Sequence, residues 1–326
     1  MTDDYFCCIG IDTSNYKTSM ALVDNEGNII SNVQKYLDVK KGERGLRQST
    51  ALFQHVNNLP EISGSVFFGL DDAVRKSIRC IAVSTKPRPV EGSYMPVFNA
   101  GASTAKTLAA AMDIPCYEFS HQEGHIEAVR HYSPLKEKKR FVTFHFSGGT
   151  TEAVLVEEST SGETKYTIVG GSRDLAFGQV LDRVGVSLNM DFPCGEQLDK
   201  IAVNEVIADK ADLPVIKCED GYINLSGIET KCQRSIGEID DESLIAALFQ
   251  RITEAIGRMT IQISRKYRVY DFLYAGGVSA SNYVRNNLND HTKSDINCYF
   301  GDPKLSTDNA VGIALLGGKK YAFETY

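Results

Sequence analysis

Ser120-His121-Gln122-Glu123-Gly124-His125 sets two imidazoles four residues apart. On a helix that spacing places both rings on one face, about a turn apart, within reach of one metal ion. Two donors are half of a tetrahedral site, so the reading needs a third ligand from elsewhere. Asp308, at the start of the last helical stretch, is one candidate, and His145, which abuts a Ser-Gly-Gly turn, is the other. The plain alternatives are two solvated histidines, an N-cap aspartate and a polar residue on a half-buried strand.

A second chemistry is written in small residues. The turn Ser147-Gly148-Gly149 leaves room for backbone N–H groups to close around phosphate oxygens, or is simply a hairpin turn. Asp182, Gly195 and Asp199 put two carboxylates on either side of a Pro-Cys-Gly bend, a spacing suited to ribose hydroxyls and equally to a solvated helix surface. Nucleophilic Ser-His-Asp chemistry is poorly supported, because no G-x-S-x-G occurs. Nor is there an H-E-x-x-H helix: the glutamate of H-Q-E-G-H stands two places after the first histidine, not one.

The elements that must carry these residues repeat. Phe6 to Ile11, Ser19 to Val23 and Asn28 to Val33 read as three strands joined by polar turns. Helices are expected over 50–58 and 70–79, a strand over Cys80 to Ser84, a helix over Ala102 to Met112 and a strand over Pro115 to Phe119. Near residue 140 the pattern restarts: strand Arg140 to Phe146, small-residue turn, strand Glu152 to Val156, polar turn, strand Lys165 to Val169. Leu244, Leu248, Ile252, Ile256, Met259 and Ile263 space a long amphipathic helix, followed by a strand over Asp271–Tyr274 that runs into Ala275-Gly276-Gly277. An internal repeat of this kind implies two related subdomains. The expected fold is α/β of the actin-like (ASKHA) ATPase type, two duplicated lobes each with a mixed β-sheet flanked by helices. The lobes are expected at 1–122 plus 308–326 and at 123–307, with nucleotide and metal in the cleft between them.

Composition bounds the rest. The 326 residues carry 35 Lys+Arg against 42 Asp+Glu, a formal charge of -7, which argues against a globally basic nucleic-acid binder and leaves local basic patches. These are Lys40-Lys41-Arg44-Arg47, Lys86-Arg88 and Lys136-Lys138-Lys139-Arg140. The eight cysteines form no C-x-x-C pair, which argues against a disulfide framework or a thiolate zinc site. No apolar run approaches a membrane span and the first residues are acidic, so a cytoplasmic location is expected.

Read together, these residues resemble TsaD and the universal threonylcarbamoyl transferases, once described as O-sialoglycoprotein endopeptidases. The likeness spans nearly the whole chain. It rests on IGIDTS near the start, GxxxAKTLA at 101–109, HxEGH at 121–125 and SGGTTEAV at 147–154. It continues through Asp174, Gly178, Asp182, the Pro-x-Gly at 193–195, AGGVSAS at 275–281 and STDNAVGIA at 306–314. The resemblance implies a divalent metal, iron or zinc, on His121, His125 and Asp308, with His145 at a position that also approaches it. It implies ATP or an acyl-adenylate on His145, Phe146, Ser147, Gly148, Gly149, Asp182, Gly195, Asp199 and Ser281. The implied reaction moves threonylcarbamoyl from its adenylate to a tRNA adenosine, with tRNA on the basic patches and with protein partners of the threonylcarbamoylation complex. The chain departs from the family pattern at several points. Where the family carries an acidic pair in T-S-C-D-E-T, this chain has Thr13-Ser14-Asn15-Tyr16-Lys17-Thr18. Ser281 replaces an Asn, Asp174-Leu175 an Asp-Asp, and Lys86-Pro87-Arg88-Pro89 a Gly-Pro-Gly loop. It is therefore read as a divergent paralogue, with Asp12 and Lys17 as the expected catalytic positions. The competing readings are a catalytically impaired nucleotide-binding scaffold and, less favoured, a metallopeptidase.

Overall fold

The computed structural model describes residues 5–14, 16–39, 46–159, 163–204, 212–302, 305 and 310–326. The chain divides into two compact units, Met1–His131 with Lys304–Tyr326, and Tyr132–Pro303. The first contains β1 (Cys7–Ser14), β2 (Lys17–Asp24), β3 (Ile29–Tyr36), α1 (Gln48–Phe67), α2 (Asp72–Lys76), β4 (Ile78–Lys86), α3 (Phe98–Met112), β5 (Cys116–Ser120) and α4 (His121–His131). The second contains β6 (Arg140–Phe146), β7 (Thr151–Glu158), β8 (Thr164–Ser172), α5 (Phe177–Ser187), α6 (Gly195–Asn204), β9 (Cys218–Glu219), β10 (Tyr222–Ile223), α7 (Ser226–Ser235), α8 (Asp241–Tyr267), β11 (Asp271–Ala275), α9 (Asn282–Asn287) and β12 (Asn297–Phe300). The last helix, α10 (Ala310–Thr325), returns to the first unit.

The two sheets share one plan. The first has strand order β3-β2-β1-β4-β5, and the second runs β12-β11-β6-β7-β8-β10-β9. In each, an antiparallel three-stranded meander is extended by two parallel strands on the side of its first strand. The anticipated repeat is therefore a structural duplication, and the architecture is the actin-like α/β fold. The central strands β1 and β2 are buried along almost their whole length, as strands covered on both faces must be. In the second unit the core gathers on α8, where Leu244, Leu248, Ile252, Ile256, Met259 and Ile263 are all buried.

Three expectations shift. The helix expected at 50–58 runs on to Phe67 through Pro60, because Leu59, Ile62 and Val66 stay buried and outweigh the missing N–H. The helix expected over 70–79 is confined to Asp72–Lys76, since Ile78 and Cys80 bury into β4. The first unit also keeps the whole of α4, so the division falls after His131 rather than at 122; α4 packs along α10 and goes with it.

Candidate functional site

Strands β1, β4 and β5 run parallel, and the groups of interest lie at their carboxyl ends. Such an edge is where open α/β sheets offer their loops to ligands. Asp12, near the end of β1, is 1% exposed. Its Oδ1 accepts a hydrogen bond from Ser84 Oγ of β4 and pairs with His121 Nδ1 of α4 at 3.0 Å. A carboxylate can only accept, so the ring must donate from Nδ1, which leaves Nε2 as its donor atom toward a ligand. Burial pushes the Asp12 carboxyl up, but the His121 ring and the bonds from His121 and Ser84 outweigh it and hold the group below the usual carboxylate range. Its second oxygen, Oδ2, is buried with no hydrogen-bond partner among the described residues.

The H-Q-E-G-H stretch resolves residue by residue. Ser120 is the N-cap of α4: its Oγ accepts from Glu123 N at 3.2 Å, while Glu123 Oε2 accepts from Ser120 N at 2.6 Å. That is a capping box, so Glu123 serves the helix end. Gln122 N donates to the Pro87 carbonyl at 3.1 Å, tying the Lys86-Pro87-Arg88-Pro89 loop to the same helix start. Gly124 lies under α10, where its carbonyl would stand 1.8 Å from any Cβ at Gly312. The two imidazoles are what remains, with ring centres 4.5 Å apart.

These observations fit a metal of borderline softness such as zinc or iron: two imidazoles at helical spacing, one oriented from behind by a buried carboxylate. Among the described residues no group of three or more His, Cys, Asp or Glu closes around a metal position. Asp308 lies outside the described residues, and His145 belongs to β6 of the second unit, half-buried opposite Glu152 and Ala275.

Lys17 opens β2 and is 7% exposed. Its Nζ donates to Gln34 Oε1 at 2.6 Å and stands 5.4 Å from the centre of the Tyr36 ring. Register puts Asp12 opposite Ser19 and Ser14 opposite Lys17, so Asp12 and Lys17 share one face of the sheet, two residue pairs apart along the ladder. The opposite face holds a residue that spacing alone did not single out. His55 of α1 is fully buried, its Nδ1 2.8 Å from Thr18 Oγ1, which also accepts from Asn58 Nδ2 at 3.2 Å. Burial pushes the imidazole pKa down, which favours the neutral ring.

In the second unit the expected phosphate loop leaves the carboxyl end of β6. Ser147 Oγ accepts from the N–H groups of Gly149 at 3.4 Å and Thr150 at 3.1 Å, closing a tight turn. A Cβ at Gly148 or Gly149 would touch nothing, so their backbone lies open. Gly178, in the first turn of the 11-residue helix α5, is pressed against that turn: a Cβ there would come 2.6 Å from Gly148 Cα and from the Ser147 carbonyl oxygen. An open glycine turn lying against a helix start is a cradle a phosphate fits. The Phe146 ring is buried 5.3 Å from Phe177, so only its backbone faces the loop. Asp182 Oδ1 accepts from Cys194 N at 2.9 Å and so fixes the bend before Gly195, which is itself open. Asp199 is 6% exposed; it accepts from Ser281 Oγ at 2.5 Å, Asn282 N at 2.9 Å and Tyr283 N at 3.1 Å, capping α9. Asp199 and Ser281 are thus brought together, as one structural unit.

Of the basic patches, the one at 136–140 is largely occupied: Lys138 pairs with Asp271 at 2.9 Å and Arg140 with Glu157 at 2.8 Å. Lys86 and Arg88 lie on the loop tied to α4, and Lys40, Lys41 and Arg44 fall outside the described residues. No helix among the described residues is long and apolar enough to cross a membrane.

The model of one protein family, TsaD: tRNA N6-adenosine threonylcarbamoyltransferase, matches residues 28–315. A protein of that name from Dehalococcoides mccartyi is 30% identical over 318 residues, covering 95% of this chain and 92% of the relative. Another, from Geobacillus thermodenitrificans, is 29% identical over 341 residues, covering 98% of this chain and 93% of the relative. Among solved structures, a ROK hexokinase from Thermus thermophilus matches with a TM-score of 0.56 over 97% of this chain and 99% of that one; at 10% identity this concerns the fold alone.

Proposed function

Because the chain belongs to the tRNA N6-adenosine threonylcarbamoyltransferase family, we propose that it moves a threonylcarbamoyl group from an acyl-adenylate to the exocyclic amine of a tRNA adenosine. The observation that carries the proposal is the Asp12–His121 pair beside His125, at the carboxyl edge of three parallel strands. His121 and His125 would hold the metal, iron or zinc, with Asp308 as the expected third ligand. A bound metal would supply Lewis acidity toward the transferring carbonyl.

The protein's own groups have separable tasks. Asp12 is a positioning residue: it keeps the His121 proton on Nδ1 and fixes the ring plane. Lys17 supplies a fixed positive charge on the same face, held in place by Gln34. The Ser147–Thr150 turn and the start of α5 would cradle the phosphate of ATP or the adenylate, with Asp182 and Asp199 holding the surrounding bends. Glu123 is held in the capping box, which removes it as a general base and weighs against a metallopeptidase. tRNA would meet the Lys86-Arg88 loop, with affinity falling steeply in salt. A cytoplasmic location and partner proteins of the threonylcarbamoylation complex belong to the same reading.

A second reading is favoured by Lys17, a cation where the family carries acid: a nucleotide-binding scaffold without transfer activity. One experiment separates the two. The chain is expressed in cells depleted of their own threonylcarbamoyltransferase, and the modified adenosine in tRNA is measured by mass spectrometry. Restoration that is lost in H121A is the expected result. No restoration, despite folded protein and its partner proteins, refutes transfer and leaves the scaffold.

A further inference from the structure

Strand β3 is the outermost of the first unit's sheet, so its side chains have a strand neighbour on one side only. Gln34 and Tyr36, two residues apart, share one of its faces. Register sets Tyr36 directly opposite Lys17 and Gln34 opposite Ser19, and Ser19 in turn stands opposite Asp12 of β1. The face that carries Asp12 and its partner His121 therefore continues outward through Ser19 and Lys17 to Gln34 and Tyr36. Two strand spacings and one two-residue step separate Asp12 from Tyr36, about 12 Å between backbones.

Burial is lopsided in this outer pair of strands. Tyr36 is 66% exposed, whereas Lys17, directly across from it, is 7% exposed. The Lys17 ammonium stands over the ring, 5.4 Å from its centre, so a cation engages one face of the π system and the exposure belongs to the far face and the rim. Lys17 also fixes the amide of Gln34. A lysine can only donate, so the atom 2.6 Å from its Nζ is the amide oxygen, and Nε2 is the donor end of this exposed side chain.

An exposed ring beside an amide donor and a positive charge is a set of groups that takes an unpaired base. The ring stacks on the base, the amide meets its polar edge and the charge draws the strand. The transfer proposed above calls for such a base: an amine that must attack cannot stay in a base pair, so the adenosine leaves the stack and its neighbours lose a stacking partner. We propose that the outer face of Tyr36, braced from within by Lys17, is a platform on which a nearby base of the RNA strand stacks while the reacting adenosine lies at the His121–His125 edge. The inference rests on the tRNA reading above. It gives the first unit an RNA contact that charge counting does not mark, because it is built from a ring, an amide and a covered lysine rather than a run of cations.

The chain contains no tryptophan, so Y36W carries a single indole whose emission reports on this position alone. The full-length variant is titrated with unmodified tRNA and, at the same salt, with a plain RNA duplex; the tRNA should quench the indole and the duplex should not. Without the indole, Y36A and Y36L should each raise the tRNA dissociation constant roughly tenfold, and Y36F should stay within about threefold of wild type. Y36L separates the two roles of the ring, since leucine still covers Lys17 but offers no π face. The salt slope of binding should not change, because a stacked base releases no counterion. F68A, which removes a 91%-exposed ring elsewhere in the same unit, should have no effect. A folded Y36L that binds tRNA within about threefold of wild type would overturn the platform. So would an indole quenched by a partner protein while Y36L leaves tRNA affinity untouched, which would give this face to protein docking. A wild-type chain that binds no tRNA, alone or with its partner proteins, would overturn the tRNA reading itself.

Discussion

Replacing Gly312 by alanine should be among the most damaging single-methyl changes available to this protein. The new Cβ would sit 1.8 Å from the Gly124 carbonyl oxygen, 2.7 Å from its carbon and 2.9 Å from Ala128 N. All three are backbone atoms of α4, so no side chain can swing aside. Restoring an ordinary contact needs a relative shift of more than about 1 Å, and α10 cannot retreat, because Ala310 and Ala314 already press on Gly10. Overpacking of this kind costs about 1–3 kcal/mol, and a helix held on both sides belongs at the upper end. For a unit of this size that is a fall in Tm of roughly 6–12 °C. Differential scanning calorimetry of wild type and G312A reads it directly. G64A is the control: a Cβ there meets nothing within 4 Å inside α1, so the better helix former should leave Tm unchanged or raise it slightly. A G312A protein melting within about 2 °C of wild type would refute the clamped-helix argument.

Two further outcomes follow from local chemistry. Asp174 accepts backbone bonds from Leu225, Ser226 and Leu175, which outweigh its partial burial and lower its pKa from the ordinary 3.8 to about 2. A depressed carboxyl stabilises the fold above its unfolded value and loses that contribution as pH falls from about 4 to 2, worth about 1 kcal/mol after discounting for its exposure. The Tm gap between wild type and D174N should thus be open at pH 6 and close toward pH 2; a gap independent of pH contradicts the assignment. At the start of α4, E123A should cost about 1 kcal/mol by opening the capping box, while E123Q, whose amide oxygen accepts equally well, should keep both stability and transfer activity. Activity lost in E123Q with stability intact would mean that Glu123 works as an acid or base after all.

The local parts of this molecule were legible because local physics decides them. Arg140–Phe146 and Asp271–Ala275 alternate or run apolar between turn residues, and they fold as read. The spacing of His121 and His125 announced a shared face, and the rings do meet. What could not be read is what long-range packing decides. Nothing around Ser84 or His55 marks them as partners of Asp12 and Thr18, since those contacts join residues 72 and 37 positions apart. Spacing assigns no role to the glutamate and glycine of H-Q-E-G-H. In the fold one closes a capping box and the other admits a neighbouring helix. Spacing left Asp199 between a ribose contact and a solvated helix surface; that its carboxylate also holds the start of α9 is a long-range contact spacing does not announce.

The duplication explains why two different chemistries sit at equivalent places. Counting back from each hairpin, Ser14 pairs with Lys17 at the end of β1, and Ser147 with Thr150 at the end of β6. Asp12 and His145 are then the same position of the repeat, two residues before the serine. A threonine beside each turn accepts a helix N–H, from opposite sides of the turn: Thr13 Oγ1, before it, from Gly101 N at 3.1 Å, and Thr151 Oγ1, after it, from Phe177 N at 3.0 Å. The divergence lies in the turns. The second copy has Gly148-Gly149, whose open backbone can approach an anion; the first has Asn15-Tyr16 in the same stretch of its sequence. The glycine turn therefore marks the second copy as the one suited to an anion. The other, relieved of that task, retains a buried carboxylate with one free oxygen and a histidine turned by it, an arrangement suited to a cation. Turn composition thus decides which charge each copy of the hairpin is suited to receive.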